Sequence, residues 1–543
     1  MRFSGISSVI SLSLLPFLGS AQLSPASECS PDAFTFPTLL GSELVSVSAN
    51  SALNYTSTSL APGSSAAGRY TISFCNVTVT YTHPGWNDTI NVQVWLPSNS
   101  WTGRLQALGG GGYSASFGST YMTQAVAAGD VAVGTDAGHE AGQAASEDPS
   151  DWALASPGNV NLYLFRDWAS RSLHDMAVIA KAVTEDFYAS KPKFSYFSGC
   201  SGGGRQAMMV AQKYPEDFDG ILAAAPAINI ENFVPAGYWA SQVMNNGGVY
   251  PPSCEIEAFT QAAIEACDGL DGVADGVISS PLLCKFEASS VVGKSFDCNG
   301  TQMEFTAGGA SIVQAAWDGP RSESGKVGWF GLSMDASLTT TYVKTECQTN
   351  GTCAPAASNL LAAWVLNFMA KDLDFDVTQM ADEQFFSFLA QSEKEYDAEV
   401  GAADPDLSLF RAAGGKMIVW HGLADEAIPP NGTVVYYQQV LELDPAADDF
   451  FRFFEAPGAA HCFGGAGPTP NTAFDQLKAW VENGTVPDTL TATDTEGNTR
   501  GLCPYPTVQK YVGGDVTDPA SFQCGSPDVD PDNLAVEFPF FRS

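Results

Sequence analysis

The sequence predicts an α/β fold in which a parallel sheet, covered by helices on both faces, is interrupted by one large insertion. Three observations support this prediction. Strand-like apolar runs alternate with helical stretches from about residue 100 to residue 227. The alternation stops over residues 228–390, which carry aromatic residues, cysteines and an acidic loop without a clear period, and it resumes at residue 416. Such alternation is typical of parallel sheets with helices packed on both sides.

The elements before the insertion follow from local patterns. Residues 22–100 indicate short strands and turns, for example at 70–82, where β-branched residues alternate with other types. A strand predicted at 104–108 runs into four consecutive glycines. The stretches that follow predict, in order, a strand at 130–135, a helix at 167–182, a strand at 194–198, a helix at 206–214 and a strand at 218–224.

After the insertion, the pattern predicts a strand at 416–420, a helix at 434–441, a strand at 449–454 and a helix at 473–481. We interpret residues 228–390 as a lid domain over the carboxyl edge of the sheet. The core domain then consists of two parts, residues 22–227 and residues 391–543. With 45% hydrophobic residues, a chain of 543 residues can bury a core of this size.

Residues 1–21 are predicted to be a secretory signal peptide that is removed from the mature protein. Arg2 supplies a positive charge, residues 9–18 form a short apolar run, and residues 19–21 are small, as cleavage requires. The run is too short to span a bilayer, and no later segment is apolar over a sufficient length. We therefore expect a secreted, extracellular protein that does not bind membranes.

Two further features agree with secretion. The twelve cysteines form an even set, which an oxidising compartment favours. Seven N-x-Ser/Thr sequons predict a glycoprotein. They lie at Asn54, Asn76, Asn87, Asn299, Asn350, Asn431 and Asn483.

The net charge of −36 excludes nucleic acid as a partner, because phosphate groups are repelled by such a surface. This charge is typical of a protein that stays soluble in an acidic medium. A specific cationic partner is the alternative interpretation.

Residues 199–203, Gly-Cys-Ser-Gly-Gly, fit the G-x-S-x-G pattern of a nucleophile. A predicted strand precedes the pattern and a helix follows it, which is the context that the pattern requires. The glycines are needed because side chains would crowd this sharp turn, and the start of the helix favours a developing oxyanion. We therefore predict that Ser201 is the nucleophile of an α/β-hydrolase fold; an ordinary glycine-rich turn is the alternative.

A serine nucleophile needs a base, and in this fold the catalytic residues follow the order serine, acid, histidine. Two histidines follow Ser201, namely His421 and His461. His421 lies in Trp-His-Gly-Leu-Ala-Asp at a predicted strand end, and Asp425 of the same segment is the candidate acid. Because the base must follow the acid, His461 is the candidate base and His421 a structural residue. The rival acids are Glu426 and Asp404.

A cysteine stands next to each of two candidate catalytic residues. Cys200 precedes Ser201, and Cys462 follows His461. If the serine and the histidine touch, the two sulfur atoms must also lie close together. We therefore predict a disulfide that joins the two catalytic loops across 262 positions. Two buried free thiols are the alternative.

The oxyanion formed in ester cleavage needs two backbone N–H donors. Gly202, the residue after the nucleophile, is the first candidate. The second is expected in the glycine run at residues 109–112, at Gly111 or Gly112.

Residues 267–278 form a loop rich in aspartate and glycine. The carboxylates of Asp268, Asp271 and Asp275, with the backbone carbonyls of Val273 and Val277, could form an all-oxygen shell of the kind that Ca²⁺ prefers. The spacing differs from an EF-hand, and a solvated acidic turn is the alternative.

Together these residues resemble the fungal tannase and feruloyl esterase family, most closely its feruloyl esterase B members. The resemblance rests on Cys200-Ser201, Asp425 and His461-Cys462, with further matches at residues 109–112, 135–139 and 420–425. It covers most of the mature chain. It implies an α/β-hydrolase core with a lid, and assigns Ser201 as nucleophile, His461 as base and Asp425 as the acid that orients the base.

The resemblance also implies a structural calcium ion in the lid, held by Asp268, Asp271, Val273, Asp275 and Val277. Four disulfides are expected on the same basis, at Cys200–Cys462, Cys29–Cys75, Cys267–Cys284 and Cys503–Cys524. The remaining four cysteines can pair in three ways, and the combination of Cys254–Cys298 with Cys347–Cys353 is favoured.

The sequence leaves more than one substrate class open. The family implies either a feruloyl esterase, which releases hydroxycinnamic acids from arabinose or galactose esters of xylan and pectin, or a tannase, which cleaves galloyl esters. A hydrolase of other aromatic or small esters and a non-catalytic binding protein are further alternatives. Five aromatic residues of the lid are possible walls of an acyl slot or simply core, namely Phe233, Tyr238, Trp239, Trp329 and Phe330.

Overall fold

A nine-stranded mixed sheet forms the centre of the protein in the computed structural model. The structure describes residues 28–60, 68–142, 144–349, 351–356 and 360–528. The predicted signal peptide and the sequon at Asn350 lie outside these residues.

The strands are β1 Glu43–Ser59, β2 Gly68–Thr82, β3 Ile90–Pro97, β4 Arg104–Leu108, β5 Val131–Thr135, β6 Leu154–Ser156, β7 Asn159–Val160, β8 Phe194–Cys200, β9 Gly220–Ala224, β10 Ser295–Cys298, β11 Thr301–Glu304, β12 Thr345–Cys347, β13 Cys353–Pro355, β14 Lys416–Gly422, β15 Phe451–Ala456, β16 Leu490–Thr493, β17 Thr499–Leu502, β18 Val508–Tyr511 and β19 Phe522–Gly525. The central sheet has the order β1-β2-β3-β5-β4-β8-β9-β14-β15, and the other strands form two-stranded pairs.

The α-helices are α1 Ser119–Ala127, α2 Leu162–Arg166, α3 Ser172–Tyr188, α4 Gly202–Lys213, α5 Ile230–Gly237, α6 Trp239–Gly247, α7 Ser253–Cys267, α8 Ala307–Asp318, α9 Leu360–Trp364, α10 Asp382–Val400, α11 Ser408–Ala412, α12 Asn431–Leu443 and α13 Ala473–Asn483. One turn of π-helix, Asp167–Arg171, joins α2 to α3, and another, Val365–Ala370, extends α9.

The sheet is parallel from β5 through β4, β8, β9 and β14 to β15, and antiparallel from β1 to β5. The prediction of a parallel sheet, made for the chain from about residue 100 onwards, is therefore confirmed. The prediction of short strands before residue 100 is wrong, because β1 and β2 pair as a long hairpin. Most β1 side chains are exposed or half-buried, which explains why this strand lacks an apolar signal.

Side chains of the central strands alternate between two cores, as the two-residue period of a strand requires. Phe197 and Val419 pack towards α3, α4 and α12 on one face. Tyr196 and Ile418 pack towards α13 on the other. Both faces of the parallel part are therefore covered by helices, as the sequence predicts.

Residues of the predicted lid form their own core, which continues into the hydrolase core. Trp317, Trp364 and Phe368 are buried in one cluster with Ile428 and Val435 of the hydrolase part. Helix α10 runs across residue 390, where the sequence places the lid boundary. The boundaries of the lid stay a prediction.

Candidate active site

Ser201 lies on a sharp turn between β8 and α4. Its backbone has φ 63° and ψ −125°, a conformation that L-residues rarely adopt. The Ser201 N–H donates to the Ala224 carbonyl at 3.0 Å, and the Ser201 carbonyl accepts from the Ala227 N–H at 3.0 Å. These two bonds, one to the last residue of β9 and one to the segment after it, hold the strand–turn–helix context that the motif predicts.

The glycines around Ser201 are required by close packing of backbone on backbone. A β-carbon at Gly199 would lie 2.3 Å from the Gly203 carbonyl oxygen, and one at Gly203 would lie 2.6 Å from the Gly110 carbonyl oxygen. A β-carbon at Gly202 would lie 2.8 Å from the Gly112 carbonyl oxygen. The nucleophile turn and the glycine run after β4 therefore touch directly.

Asp425 and His461 form a hydrogen-bonded pair. His461 Nδ1 lies 2.8 Å from Asp425 Oδ2. Asp425 follows β14 and is completely buried, whereas the His461 side chain keeps 17% of its surface exposed. A carboxylate at Nδ1 places a proton on that nitrogen and leaves Nε2 as the side of the ring that can take a proton from another group.

Four donors surround the Asp425 carboxylate. Oδ1 accepts the N–H groups of Ala427 and Ile428, each at 2.8 Å. Oδ2 accepts His461 Nδ1 and also His421 Nε2, the latter at 3.1 Å. Burial alone would raise the pKa of Asp425, but the His461 charge and the bonds from both histidines hold this pKa below its ordinary value.

The two rival acids occupy other places. The Glu426 carboxylate accepts the backbone N–H of His461 at 3.0 Å and does not bond to its ring. Asp404 is exposed, and its carboxylate accepts the Asp406 N–H. Burial lowers the pKa of His461, yet the charge and hydrogen bond of Asp425, with the charge of Glu426, raise this pKa above its ordinary value.

The structure contains the disulfide predicted beside the site. Cys200 and Cys462 are bonded across 262 positions, with their Cα atoms 5.9 Å apart. Their sulfur atoms and a ring nitrogen of His461 all lie within 4.8 Å of one another. The loop of the candidate base is thus tied to the turn of the candidate nucleophile.

The other five predicted pairs are confirmed as well. They are Cys29–Cys75, Cys254–Cys298, Cys267–Cys284, Cys347–Cys353 and Cys503–Cys524.

The backbone N–H groups of the glycine run differ in whether they already donate a hydrogen bond. Those of Gly109, Gly110 and Gly111 donate to the Ser198 carbonyl, the Gln206 side chain and the Ser114 carbonyl. Among the described residues, the N–H groups of Gly112 and Gly202 have no such partner. Gly112 is therefore better placed than Gly111 to act as the second oxyanion donor.

The aspartate loop follows α7 and lies within the segment that the Cys267–Cys284 disulfide closes. Hydrogen bonds within the loop hold its two ends together. Asp268 accepts the N–H groups of Asp275 and Gly276, each at 3.0 Å. Asp275 Oδ2 pairs with Arg500 at 3.0 Å, and its Oδ1 is buried without a hydrogen bond to a described residue.

This loop offers a hard cation an unpaired carboxylate oxygen within an all-oxygen donor set, which fits Ca²⁺. In the described part of the chain, two groups of potential metal-binding side chains have their ligand atoms within 4.8 Å of one another. Neither group includes these aspartates. Their carboxylates would have to move closer together to share one ion.

The five lid aromatics are mostly core residues. Phe233, Tyr238, Trp329 and Phe330 are each exposed by 4% or less, and Trp239 packs against Phe385 and Phe386. Phe330 also lines a cavity of about 270 Å³ between the lid and Leu423. Neither Ser201 nor His461 is among the described residues that line this cavity.

Six of the seven sequons lie within the described residues. The side chains of Asn54, Asn87, Asn299 and Asn483 are exposed, whereas Asn76 and Asn431 are half-buried.

A family model described as "Tannase and feruloyl esterase" matches residues 75–525. The chain belongs to this family. Its members are carboxylic ester hydrolases, and so is this protein. The chain is 41% identical over 480 residues, 85% of its own length and 88% of the relative's, to a "Probable feruloyl esterase" of Arthroderma benhamiae.

Solved structures of this family share the fold. The tannin acyl hydrolase of Aspergillus niger matches with a TM-score of 0.83 and 25% identity over 93% of this chain and 96% of that one. Feruloyl esterase B of Aspergillus oryzae matches with a TM-score of 0.72 and 25% identity, over 90% and 98%. In the described part of the chain, no helix is both long and apolar enough to cross a membrane.

Proposed function

We propose that this esterase is a secreted serine hydrolase that releases ferulic and related hydroxycinnamic acids from sugar esters of plant cell walls. The observation that carries the proposal is the hydrogen bond between the buried Asp425 and the partly exposed His461, whose loop is joined by Cys200–Cys462 to the strained turn of Ser201. A hydroxyl, an imidazole and a buried carboxylate in this order form a serine-esterase triad.

In the proposed reaction, Ser201 Oγ attacks the ester carbonyl while His461 Nε2 takes its proton. Asp425 keeps the other ring nitrogen protonated and stabilises the imidazolium that forms. His461 then returns the proton to the leaving sugar oxygen, and an acyl-enzyme remains. Water, activated by the same histidine, releases the free acid.

The negative oxygen of each tetrahedral intermediate is assigned to the N–H groups of Gly202 and Gly112. Their availability supports this assignment, because neither donates to another described residue. Donors fixed in a packed backbone need no rearrangement as charge develops.

A calcium ion is proposed in the lid loop, with Asp268, Asp271 and Asp275 and the carbonyls of Val273 and Val277 as its ligands. When bound, it would supply positive charge that holds the loop together. The unpaired Asp275 Oδ1 supports this proposal.

Hydroxycinnamates are favoured as substrates because the relative that is 41% identical carries the name "Probable feruloyl esterase". Secretion and glycosylation are proposed from the leader sequence and the sequons, of which four are exposed.

Galloyl ester cleavage is the second candidate. Its support is structural, since the fold matches a tannin acyl hydrolase with a TM-score of 0.83, compared with 0.72 for feruloyl esterase B. A tannase site must pair three ring hydroxyls of the acyl group, and a site without matching polar groups would reject gallate.

The deciding experiment compares initial rates of the purified protein on methyl ferulate, methyl caffeate and methyl gallate. We expect the enzyme to hydrolyse methyl ferulate and methyl caffeate but not methyl gallate. Preference for gallate would favour the tannase alternative. Ser201→Ala should abolish the hydrolysis of every ester that the wild type cleaves, whereas Ser190→Ala, at an exposed serine, should retain it. Full activity of Ser201→Ala would overturn the mechanism.

A further inference from the structure

A second histidine contacts the carboxylate that holds His461. His421 lies near the end of β14 and is completely buried. Its Nε2 is 3.1 Å from Asp425 Oδ2 and 3.2 Å from the Ile428 carbonyl oxygen. Its Nδ1 is 2.8 Å from the Thr433 hydroxyl in the first turn of α12.

The contacts of His421 fix where its proton lies. Nε2 faces two oxygen acceptors, a carboxylate and a carbonyl, so it carries the hydrogen. The hydroxyl of Thr433 can donate to Nδ1 and thereby hold the ring in this tautomer. His421 is thus oriented to donate to Asp425, whereas a histidine that only fills space would not need two matched polar partners.

We propose that His421 is a positioning residue for the triad, an inference that rests on the proposed esterase function. Oδ2 of Asp425 accepts from His421 and His461 together, while Oδ1 accepts two backbone N–H groups. A carboxylate held by four donors cannot rotate about its last bond. His421 therefore fixes the oxygen that orients His461 and does so without touching the substrate.

The titratable groups near this carboxylate are few among the described residues. His421 and His461 bond to it, the buried Tyr342 lies within electrostatic range, and Glu426 faces the His461 backbone. A change in the acid side of the pH–rate profile can therefore be traced to the Asp425–His461 pair.

The test compares His421→Met with His421→Gln in the full-length protein. Methionine provides an unbranched side chain of similar length that donates no hydrogen bond. The side-chain amide nitrogen of glutamine can donate a hydrogen bond, and it is as many bonds from Cα as Nε2 of histidine. For His421→Met, we expect kcat on 4-nitrophenyl acetate to fall about 10-fold or more with KM unchanged, since a hydrogen bond to a charged group is lost. His421→Gln should recover most of kcat.

The acid limb of kcat/KM provides a readout that a purely structural role would not move. Without the His421 donor, the Asp425 carboxylate is more basic and holds the His461 proton more strongly. The limb of His421→Met should therefore shift to higher pH. A folded His421→Met with wild-type kcat and profile would overturn the proposal, and so would equal losses in both variants.

Two further measurements keep the test decisive. If His421→Met does not fold, Thr433→Val is compared with Thr433→Ser. Both are made in an Asn431→Gln background, because Thr433 completes the sequon at Asn431 and valine would remove it. Relative to Asn431→Gln itself, kcat should fall in the valine variant alone; equal kcat values would overturn the proposal. Labelling of wild-type Ser201 by a fluorophosphonate tests the esterase mechanism separately. Absent labelling would reject the proposed function itself, whereas normal labelling with unaffected His421 variants would reject the positioning role.

Discussion

Val277 packs against Gly458, and this contact joins the aspartate loop of the lid to the loop that carries His461. A β-carbon at Gly458 would lie 2.6 Å from Val277 Cγ2, and Gly458 has φ +67°. Only glycine accommodates both the contact and this backbone conformation without strain. The proposed calcium site is therefore mechanically connected to the candidate base.

Removal of calcium is expected to lower both stability and activity. A chelator such as EGTA should lower the thermal midpoint by several degrees, because an ion that binds the folded state alone stabilises it. The rate on methyl ferulate should fall in parallel, since the loop of His461 loses its support. Calcium should restore both properties.

A matched pair of variants locates the calcium effect. Asp275→Asn should make the thermal midpoint insensitive to EGTA. Asp297→Asn, at an exposed lid aspartate outside the loop, should respond like the wild type. An EGTA response that persists in Asp275→Asn would contradict the assigned ligands.

The Cys200–Cys462 disulfide is expected to contribute more to stability than a local one. Replacing both cysteines by serine should lower the free energy of unfolding by roughly 5 kcal/mol in the chain-entropy model, because the bond closes a very long loop. The same change at Cys347 and Cys353, separated by 6 positions, should lower it by about 2 kcal/mol.

Activity should separate the two disulfide variants further. The Cys200/Cys462 variant should lose most of its kcat at a temperature where it is still folded, while the Cys347/Cys353 variant keeps it. Urea unfolding and initial rates on methyl ferulate provide both measurements. Equal losses of stability and of kcat in the two variants would contradict the proposed role.

The sequence identifies much of the candidate site because chemistry restricts the order of its residues. Ser201 lies in a motif with a required strand and helix, and Asp425 and His461 follow from the chain order of the fold. The structure brings that aspartate and histidine to 2.8 Å. The partners of Cys200 and Cys462 follow from the same proximity.

Other contacts could not be predicted because they depend on tertiary structure. Whether Gly111 or Gly112 has a free N–H depends on how the loop folds back on Ser114. The chain order of the triad indicates only a structural role for His421, although its position four residues before Asp425 is a signal that it could reach the carboxylate. The sequence also leaves Glu426 as a rival acid, yet its carboxylate contacts the backbone of His461.

His83 forms a buried cluster with Asp88, Asp167 and Asp175. This cluster is expected to make the protein less stable as the pH rises. Burial raises the pKa of Asp167 from 3.8 to about 8, against the attraction of His83. Burial lowers the pKa of His83, but hydrogen bonds to Asp175 and Asp88 outweigh it and raise this pKa from 6.5 to about 9.

The sign of the effect follows from proton counting. Between about pH 4 and about pH 8 the folded state keeps the Asp167 proton that the unfolded chain has released, so the free energy of unfolding falls as pH rises. The stabilisation from His83 is complete below about pH 6.5 and is lost as pH rises through about 9.

Urea midpoints measured across this range check the prediction. In Asp167→Asn, the decline between about pH 4 and about pH 8 should become shallower, because asparagine has no proton to release. Asp32→Asn, at an exposed carboxylate, should leave the slope unchanged. An unchanged slope in Asp167→Asn would reject the assigned proton.

Glu426 is expected to set the pH at which the enzyme becomes active. Its charge contributes to the raised pKa of His461, and its carboxylate accepts the His461 backbone N–H at 3.0 Å. Glutamine removes the charge but keeps an oxygen that can accept this N–H. In Glu426→Gln the pKa of His461 should fall, so the acid limb of kcat/KM should shift to lower pH with little change in the maximum rate. This shift is opposite to the one expected for His421→Met, because here a negative charge that stabilises the imidazolium is removed.

Glu426→Ala separates the charge from the hydrogen bond, because alanine removes both. It should show the same downward shift of the acid limb together with a lower maximum rate, since the backbone of His461 loses an acceptor that holds its loop. Profiles of kcat/KM against pH for the wild type and both variants, measured with methyl ferulate, are sufficient. If neither variant moves the acid limb, the charge of Glu426 does not act on His461; if both lower the maximum rate equally, the carboxylate charge, and not the bond to the backbone, holds the loop.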